Sequence, residues 1–236
     1  MILIAAAGKS SRWKNHLGLK KHMVPIGGVP LIHRTIQQIN LFLCRFSSGD
    51  KIGVICYDPA FVIPPAIQLI PNKPSPLPFT GLGQSVEFWP ENETLYLFLG
   101  DVVFTENAIN QIFMQNRNEH AVTFFGHSKP VFLDHAELFG HGLAHHPELF
   151  AFSVPPECQP ELLEAMKKAD EWRTELMQDK AKIYMSGGWF TYRLLNHLPV
   201  FMHQIGENFI ELDPEVTDID SKEDYDRVCK LYARNT

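Results

Sequence analysis

Apolar and polar positions change period along this chain, and the changes predict alternating strands and helices. Ile2-Leu3-Ile4 has no polar alternation, as expected of a strand buried on both faces of a parallel sheet. Leu31, Ile32, Thr35, Ile36, Ile39 and Phe42 then recur at three- and four-residue spacing. That spacing predicts a helix with one apolar face, with Pro30 in its first turn. Residues 51–57 read as a second strand and 67–70 as a short third one, and Pro59, Pro64 and Pro65 limit any helix between them. Pro71, Pro74, Pro76 and Pro78 exclude regular helix or central strand over that stretch. Residues 81–89 read as a loop opening a short helix. The strongest buried-strand signal is 94–99, Thr94-Leu95-Tyr96-Leu97-Phe98-Leu99, and it ends at Gly100-Asp101. A helix over 106–116 and a strand over 121–125 follow. Helices over 161–182 and 186–195 come next, then strands over 200–204 and 209–212. Ser221-x-x-Asp224 is close to a capping box and starts a terminal helix.

Composition narrows the class. With 45% hydrophobic and 20% charged residues, the chain suits a packed soluble protein. The net charge of −6 argues against a general nucleic-acid binder. No apolar run approaches the ~20 residues of a membrane helix. The start lacks a charged segment ahead of its short apolar run, which disfavours a secretory leader. Cys44, Cys56, Cys158 and Cys229 are far apart and form no C-x-x-C pair, so they read as reduced thiols. These features together lead to the expectation of a cytoplasmic protein.

The first turn carries the most chemistry. Ala5-Ala6-Ala7-Gly8-Lys9-Ser10-Ser11-Arg12 runs the first strand into a small, polar, basic loop, followed by Lys20-Lys21-His22-Met23-Val24-Pro25. Tiny side chains let a ligand approach the backbone, and hydroxyls, cations and free N–H groups suit a polyphosphate. Ala-Ala-Gly-x-x-x-Arg, then Lys-x-x-x-Pro and Gly28-Val29-Pro30-Leu31-Ile32, resembles the signature of nucleotidyltransferases. The match departs at Ser10, where many members carry a second Gly, and at Lys20, where a Pro often stands. The second departure leaves open whether Lys20 or Lys21 acts. The resemblance implies that Ala6, Ala7, Gly8, Lys9, Ser10 and Ser11 hold the triphosphate of an NTP and that Arg12 and Lys21 are catalytic.

Further segments match in order. A segment like Gly81-Leu82-Gly83-Gln84-Ser85 lies against the nucleotide base in that family, so Gln84 and Ser85 are candidate base contacts, with simple helix capping the equal alternative. Leu99-Gly100-Asp101-x-x-Phe104 resembles the family's metal-binding strand end. An acid at the end of a central strand would face the ligand crevice of an open α/β sheet, although a turn or helix-cap role also fits Asp101. Asp218-Ile219-Asp220-x-x-Glu223-Asp224-Tyr225 resembles its C-terminal signature. Asp101 and Asp220 are therefore the implied Mg²⁺ ligands, with Asp218 a weaker candidate. Trp189 and Arg193 are candidates for acceptor binding by stacking and phosphate pairing, a buried aromatic anchor being the competing reading. His141-x-x-x-His145-His146 does not read as a zinc helix, because Gly140, Gly142 and Pro147 oppose one. The role of the His-rich stretch 127–146 stays open.

The expected fold is α/β, a three-layer α/β/α sandwich with a mainly parallel, mixed sheet of Rossmann-like type, as one domain over 1–236. The resemblance implies Mg²⁺-dependent transfer of an NMP group from an NTP to a phosphorylated small molecule, a sugar phosphate or an alcohol phosphate such as phosphocholine, with release of pyrophosphate. No nucleic-acid or membrane partner is expected, and the oligomeric state stays open, a homo-oligomer included. Two other classes compete. A glycosyltransferase would usually carry Asp-x-Asp where this chain has Asp101-Val102-Val103. A non-catalytic nucleotide sensor would bind NTP without turnover. A nicotinamide dehydrogenase is weaker, because G-x-G-x-x-G is absent.

Overall fold

The computed structural model describes residues 1–7, 13, 16–72, 82–115, 120–128, 148–178, 187–198 and 205–234. The chain opens on β1 (Ile2–Ala5), which pairs in parallel with β4 (Ile52–Ile55) on one side and β6 (Leu95–Leu99) on the other. Between β1 and β4 lie the short antiparallel pair β2 (Pro25–Ile26) and β3 (Val29–Pro30) and then helix α1 (Leu31–Arg45). Pro30 ends β3 and caps α1 rather than lying within its first turn. β5 (Ile67–Leu69) extends the sheet beyond β4. After β6 come the two-residue strand β7 (Val102–Val103), helix α2 (Glu106–Met114), β8 (Thr123–His127) and β9 (Glu148–Val154). Helices α3 (Gln159–Gln178) and α4 (Gly187–Leu195), strands β10 (Phe209–Glu211) and β11 (Thr217–Asp218), and helix α5 (Lys222–Arg234) complete the described chain. The expected strand at 200–204 lies outside the described residues.

The main sheet has seven strands in the order β10-β8-β9-β6-β1-β4-β5. All pairs are parallel except those of β9, which runs antiparallel to both β6 and β8. Side chains alternate across it. Ile2 and Ile4 join a core with α1 and α2, whereas Leu3 joins a second core with α3 and α4. The result is the expected three-layer α/β sandwich, and Ile2, Leu3 and Ile4 are fully buried because both faces of β1 are covered. A third, smaller apolar cluster packs α5 against the start of the chain, through Trp13, Val24, Ile26, Leu31, Val103, Ile219 and Val228.

The chain leaves β1 toward β4 and β5, then crosses back to β6 on the other side. β1 and β6 therefore flank a topological switch point, and in open α/β sheets ligands bind outside the strand ends there. The two strand ends are tied closely. The Gly100 N–H donates to the Ala5 carbonyl at 2.9 Å, and the Ala6 N–H donates to the Ile55 carbonyl at 3.0 Å. A Cβ on Gly100 would stand 2.8 Å from the Ala5 oxygen and 3.1 Å from the Ala6 Cβ. Both obstacles are backbone or rigid, so neither can move aside cheaply. Gly100→Ala should lower stability by roughly 1–3 kcal/mol, the usual range for overpacking. Urea unfolding followed by circular dichroism measures this, and an unchanged midpoint would show that the two strand ends can separate freely.

Candidate active site

The end of β1 delivers Ala6, which is buried, and Ala7, which is partly buried, at the switch point. Gly8, Lys9, Ser10, Ser11 and Arg12 lie outside the described residues. The residue after them is firmly held. Trp13 is buried, donates its indole N–H to the Leu19 carbonyl at 2.7 Å, and meets Tyr225 of α5 edge-on at 6.0 Å.

The next basic segment sends its two lysines in different directions. Lys21–Met23 form one 3-10 turn, which points adjacent side chains in different directions. Lys20 turns outward, its side chain 60% exposed, and pairs with Asp58 at 2.9 Å. Lys21 turns inward and is 8% exposed. Its ammonium donates to Asp220 Oδ1 at 2.8 Å and also to Asp101 Oδ2. The pair Asp101 and Asp220 thus meets on one cation from opposite ends of the chain.

Local structure explains both carboxylates. Asp101 follows Gly100 in the turn between β6 and β7. β7 pairs antiparallel with β11, placing Asp218 opposite Val102 and Thr217 opposite Val103. The Ile219 N–H then donates to the Asp101 carbonyl at 2.9 Å, which fixes Asp220 beside Asp101. The expected capping box holds the far side. Asp224 Oδ2 accepts from the Asp220 and Ser221 backbone N–H groups at 3.2 and 2.9 Å, and the Asp224 N–H donates to Ser221 Oγ at 3.2 Å.

Electrostatics follow from this packing. Burial alone would lower the Lys21 pKa, but Asp101 and Asp220 outweigh it and raise the value. Burial would raise Asp101, but Lys21, with help from His22, holds it below the usual carboxylate range. Burial drives the His22 pKa down to about 4, so its ring is neutral at pH 7. Asp218 goes the other way. Burial, reinforced by Glu148, Asp220 and Asp101, pushes it well above the usual range, and its carboxyl shares a hydrogen bond with Asp220. His22 and Glu148 carry no sequence signal of a site. His22 has only its place beside Lys21, and Glu148 follows the His-rich stretch with no motif around it.

The remaining candidates separate. Gln84 lies in a 3-10 helix, Gly83–Phe88, rather than an α-helix. Its Nε2 donates to the Tyr57 hydroxyl at 3.3 Å, and its Oε1 is buried without a hydrogen-bond partner among the described residues. An acceptor left open in this way is compatible with a ligand contact. Ser85 has the bonding of the capping alternative. It is fully buried, donates to the Leu82 carbonyl at 2.6 Å and accepts from the Trp89 indole at 2.8 Å, so it braces the 3-10 helix. Trp189 and Arg193 are both buried and stacked. Each is 1% exposed, with the Arg193 guanidinium 4.4 Å above the Trp189 ring and Trp189 stacked on Tyr192 at 4.9 Å. This packing is that of the buried aromatic anchor, although Arg193 Nε and Nη1 have no hydrogen-bond partner among the described residues. Among the described residues no group of three His, Cys, Asp or Glu side chains is arranged to hold a metal ion by itself. No described helix is long and apolar enough to cross a membrane.

The Asp218 shift generates a test with a defined sign. A carboxyl whose folded pKa lies above its unfolded value favours the fold at low pH and loses that contribution as pH rises through the folded value. Asp218→Asn keeps the shape and a donor toward Asp220 but cannot ionise. In EDTA, the substitution should therefore stabilise the protein at pH 8, with a gain that shrinks toward pH 4. Denaturation midpoints of both proteins across that range check it, and a gain that grows on acidification would reverse the assignment.

Comparison with known proteins places this fold. The model of the MobA-like NTP transferase domain matches residues 2–182. No curated protein sequence matches the chain significantly. Similar solved structures include a putative glucose-1-phosphate thymidylyltransferase from Bacillus anthracis, 13% identical with a TM-score of 0.59, covering 98% of this chain and 94% of that one. A 2-C-methyl-D-erythritol 4-phosphate cytidylyltransferase from Thermus thermophilus is 14% identical with a TM-score of 0.53, over 99% and 98% of the two chains. A CTP:phosphocholine cytidylyltransferase from Streptococcus pneumoniae is 13% identical with a TM-score of 0.51, over 98% and 97%. At such identities these structures speak for the fold, whereas the family model spans most of the sequence. The chain belongs to the family of MobA-like NTP transferase domains and is a nucleotidyltransferase.

Proposed function

We propose that the protein transfers an NMP group from an NTP to a phosphorylated small-molecule acceptor, a sugar phosphate or an alcohol phosphate, and releases pyrophosphate. The observation that carries this reading is the meeting of Lys21, Asp101 and Asp220 at the switch point, beside the end of β1. An oxygen of the acceptor phosphate attacks the α-phosphorus in line. The bond from that phosphorus to the bridging oxygen breaks, and pyrophosphate leaves with the electron pair. Such a transfer needs positioning and charge neutralisation more than a protein nucleophile. Arg12, from the loop after β1, and Lys21 would offset charge on the triphosphate and in the transition state. Gln84, with its open acceptor, is the candidate for the base.

The donor set suits Mg²⁺. Asp101 and Asp220 each direct an oxygen within hydrogen-bond reach of one point, the Lys21 Nζ. A hard cation that keeps several waters and takes phosphate oxygens needs only one or two protein carboxylates. Bound there, Mg²⁺ would supply charge neutralisation at the triphosphate. A glycosyltransferase reading finds less support, because Val102 and Val103, which stand where its Asp-x-Asp would continue, are buried in β7.

The decisive assay is pyrophosphate release with Mg²⁺, crossing four NTPs with a panel of phosphorylated acceptors. Release should require an acceptor. NTP binding without turnover across the panel would instead indicate a sensor, and release of a nucleoside diphosphate from a UDP- or GDP-sugar would indicate a glycosyltransferase. With the productive pair, Arg12→Ala and Lys21→Met should each lower kcat/KM by about 10²-fold or more, the size of a lost cation at a transferring phosphate. Lys20→Met and Lys9→Ala should cost far less. A large loss confined to Lys20→Met would show that the exposed lysine is the one that works.

A further inference from the structure

We propose that Lys21 is an internal counter-cation that holds the Asp101–Asp220 pair closed to free divalent metal, so that metal enters only together with the triphosphate. The inference rests on the metal role proposed above for Asp101 and Asp220. Its own basis is the geometry of Lys21. The ammonium stands between the two carboxylates, donating to Asp220 at 2.8 Å and to Asp101 as well, with only 8% of the residue exposed. A divalent cation shared by the two carboxylates would compete for the oxygens that Lys21 already holds. It would also stand within a few ångströms of a buried positive charge, where repulsion is weakly screened.

Lys21 leaves such a position only if an equally good anionic partner is offered elsewhere. A triphosphate offers one, because its oxygens accept from an ammonium as well as a carboxylate does. Nucleotide and metal would then bind with positive coupling through one side chain. By linkage, each raises the affinity of the other by the same factor. Lys20 cannot play this part, since it faces outward on Asp58.

The test is Mn²⁺ binding to the full chain, followed by the electron paramagnetic resonance signal of free Mn²⁺. Without nucleotide, the wild type should bind Mn²⁺ weakly. Lys21→Met should bind it about tenfold more tightly or better, and Lys20→Met should match the wild type. Adding Asp220→Asn to Lys21→Met should abolish the gain, which places it at this pair. A folded Lys21→Met that binds Mn²⁺ no better than the wild type would overturn the proposal. The wild type decides alone if that variant does not fold. Its Mn²⁺ affinity should rise at least about tenfold with a non-hydrolysable NTP analogue, beyond what the analogue binds by itself, and equal affinity with and without the analogue would overturn the proposal. Pyrophosphate release is read separately, so a protein that couples Mn²⁺ and nucleotide but turns over no acceptor would overturn the functional reading and leave this one standing.

Discussion

Removing an ammonium group from water costs several kcal/mol even after the surroundings relax, and two carboxylates brought to one place repel each other. Lys21 alone, or the pair Asp101 and Asp220 alone, would be costly where the fold puts them. Together they satisfy one another, and each becomes a condition for the others. The partners lie 80 and 199 residues from Lys21 in sequence, so the triad exists only when both ends of the chain are docked. The structure around it serves that convergence. One 3-10 turn aims Lys21 inward, Gly100 lets β6 end against β1, and the β7–β11 ladder brings the C-terminal segment across.

That last connection gives α5 more than a packing role. Its apolar face shares a cluster with Trp13, which follows the first basic segment, and Val24, which lies in the second. Tyr225 also donates its hydroxyl to the Pro25 carbonyl at 3.2 Å. The family match ends at residue 182, yet Asp220 and the capping box behind it lie beyond that point. The C-terminal elements therefore belong to the candidate site, contributing the Asp220 carboxylate on one side and packing against Trp13 on the other.

How much of this was legible depends on the length of the signal. β1, β6, α1 and α3 carry long apolar runs or sustained helical periods, and each formed close to its expected position. β7 and β11 have two residues each, too few for any period, although their ladder decides where Asp220 stands. The two neighbouring lysines looked alike because sequence spacing does not show which way a single turn points. Ser85 was indistinguishable from a ligand contact, since a hydroxyl that caps a turn has the same chemistry as one that reads a base. Trp189 and Arg193 were ambiguous for a related reason. A ring and a guanidinium four residues apart stack equally well in a pocket or in a core, and here the stacked pair is buried. Glu148 and Asp218 show the limit in electrostatics, where a charge matters through neighbours that only the fold brings together.

The charge count around the triad explains why such a site would need cations from elsewhere. Asp101 and Asp220 together exceed the single charge of Lys21, and Glu148 stands near enough to raise Asp218. Burial and the neighbouring acids favour the uncharged form of Asp218, and the neutral His22 adds no positive charge. A polyphosphate approaching this crevice would meet surplus negative charge at short range, where screening by salt is weak. Lys21 cannot neutralise it while it also neutralises the carboxylates. Under the proposed reaction, the missing positive charge comes from the loop that carries Lys9 and Arg12 and from a divalent ion that lets the carboxylates release Lys21. The acids would then select a metal-bound triphosphate over a bare one, and an excess of negative charge beside a phosphate site becomes a means of discrimination rather than a conflict.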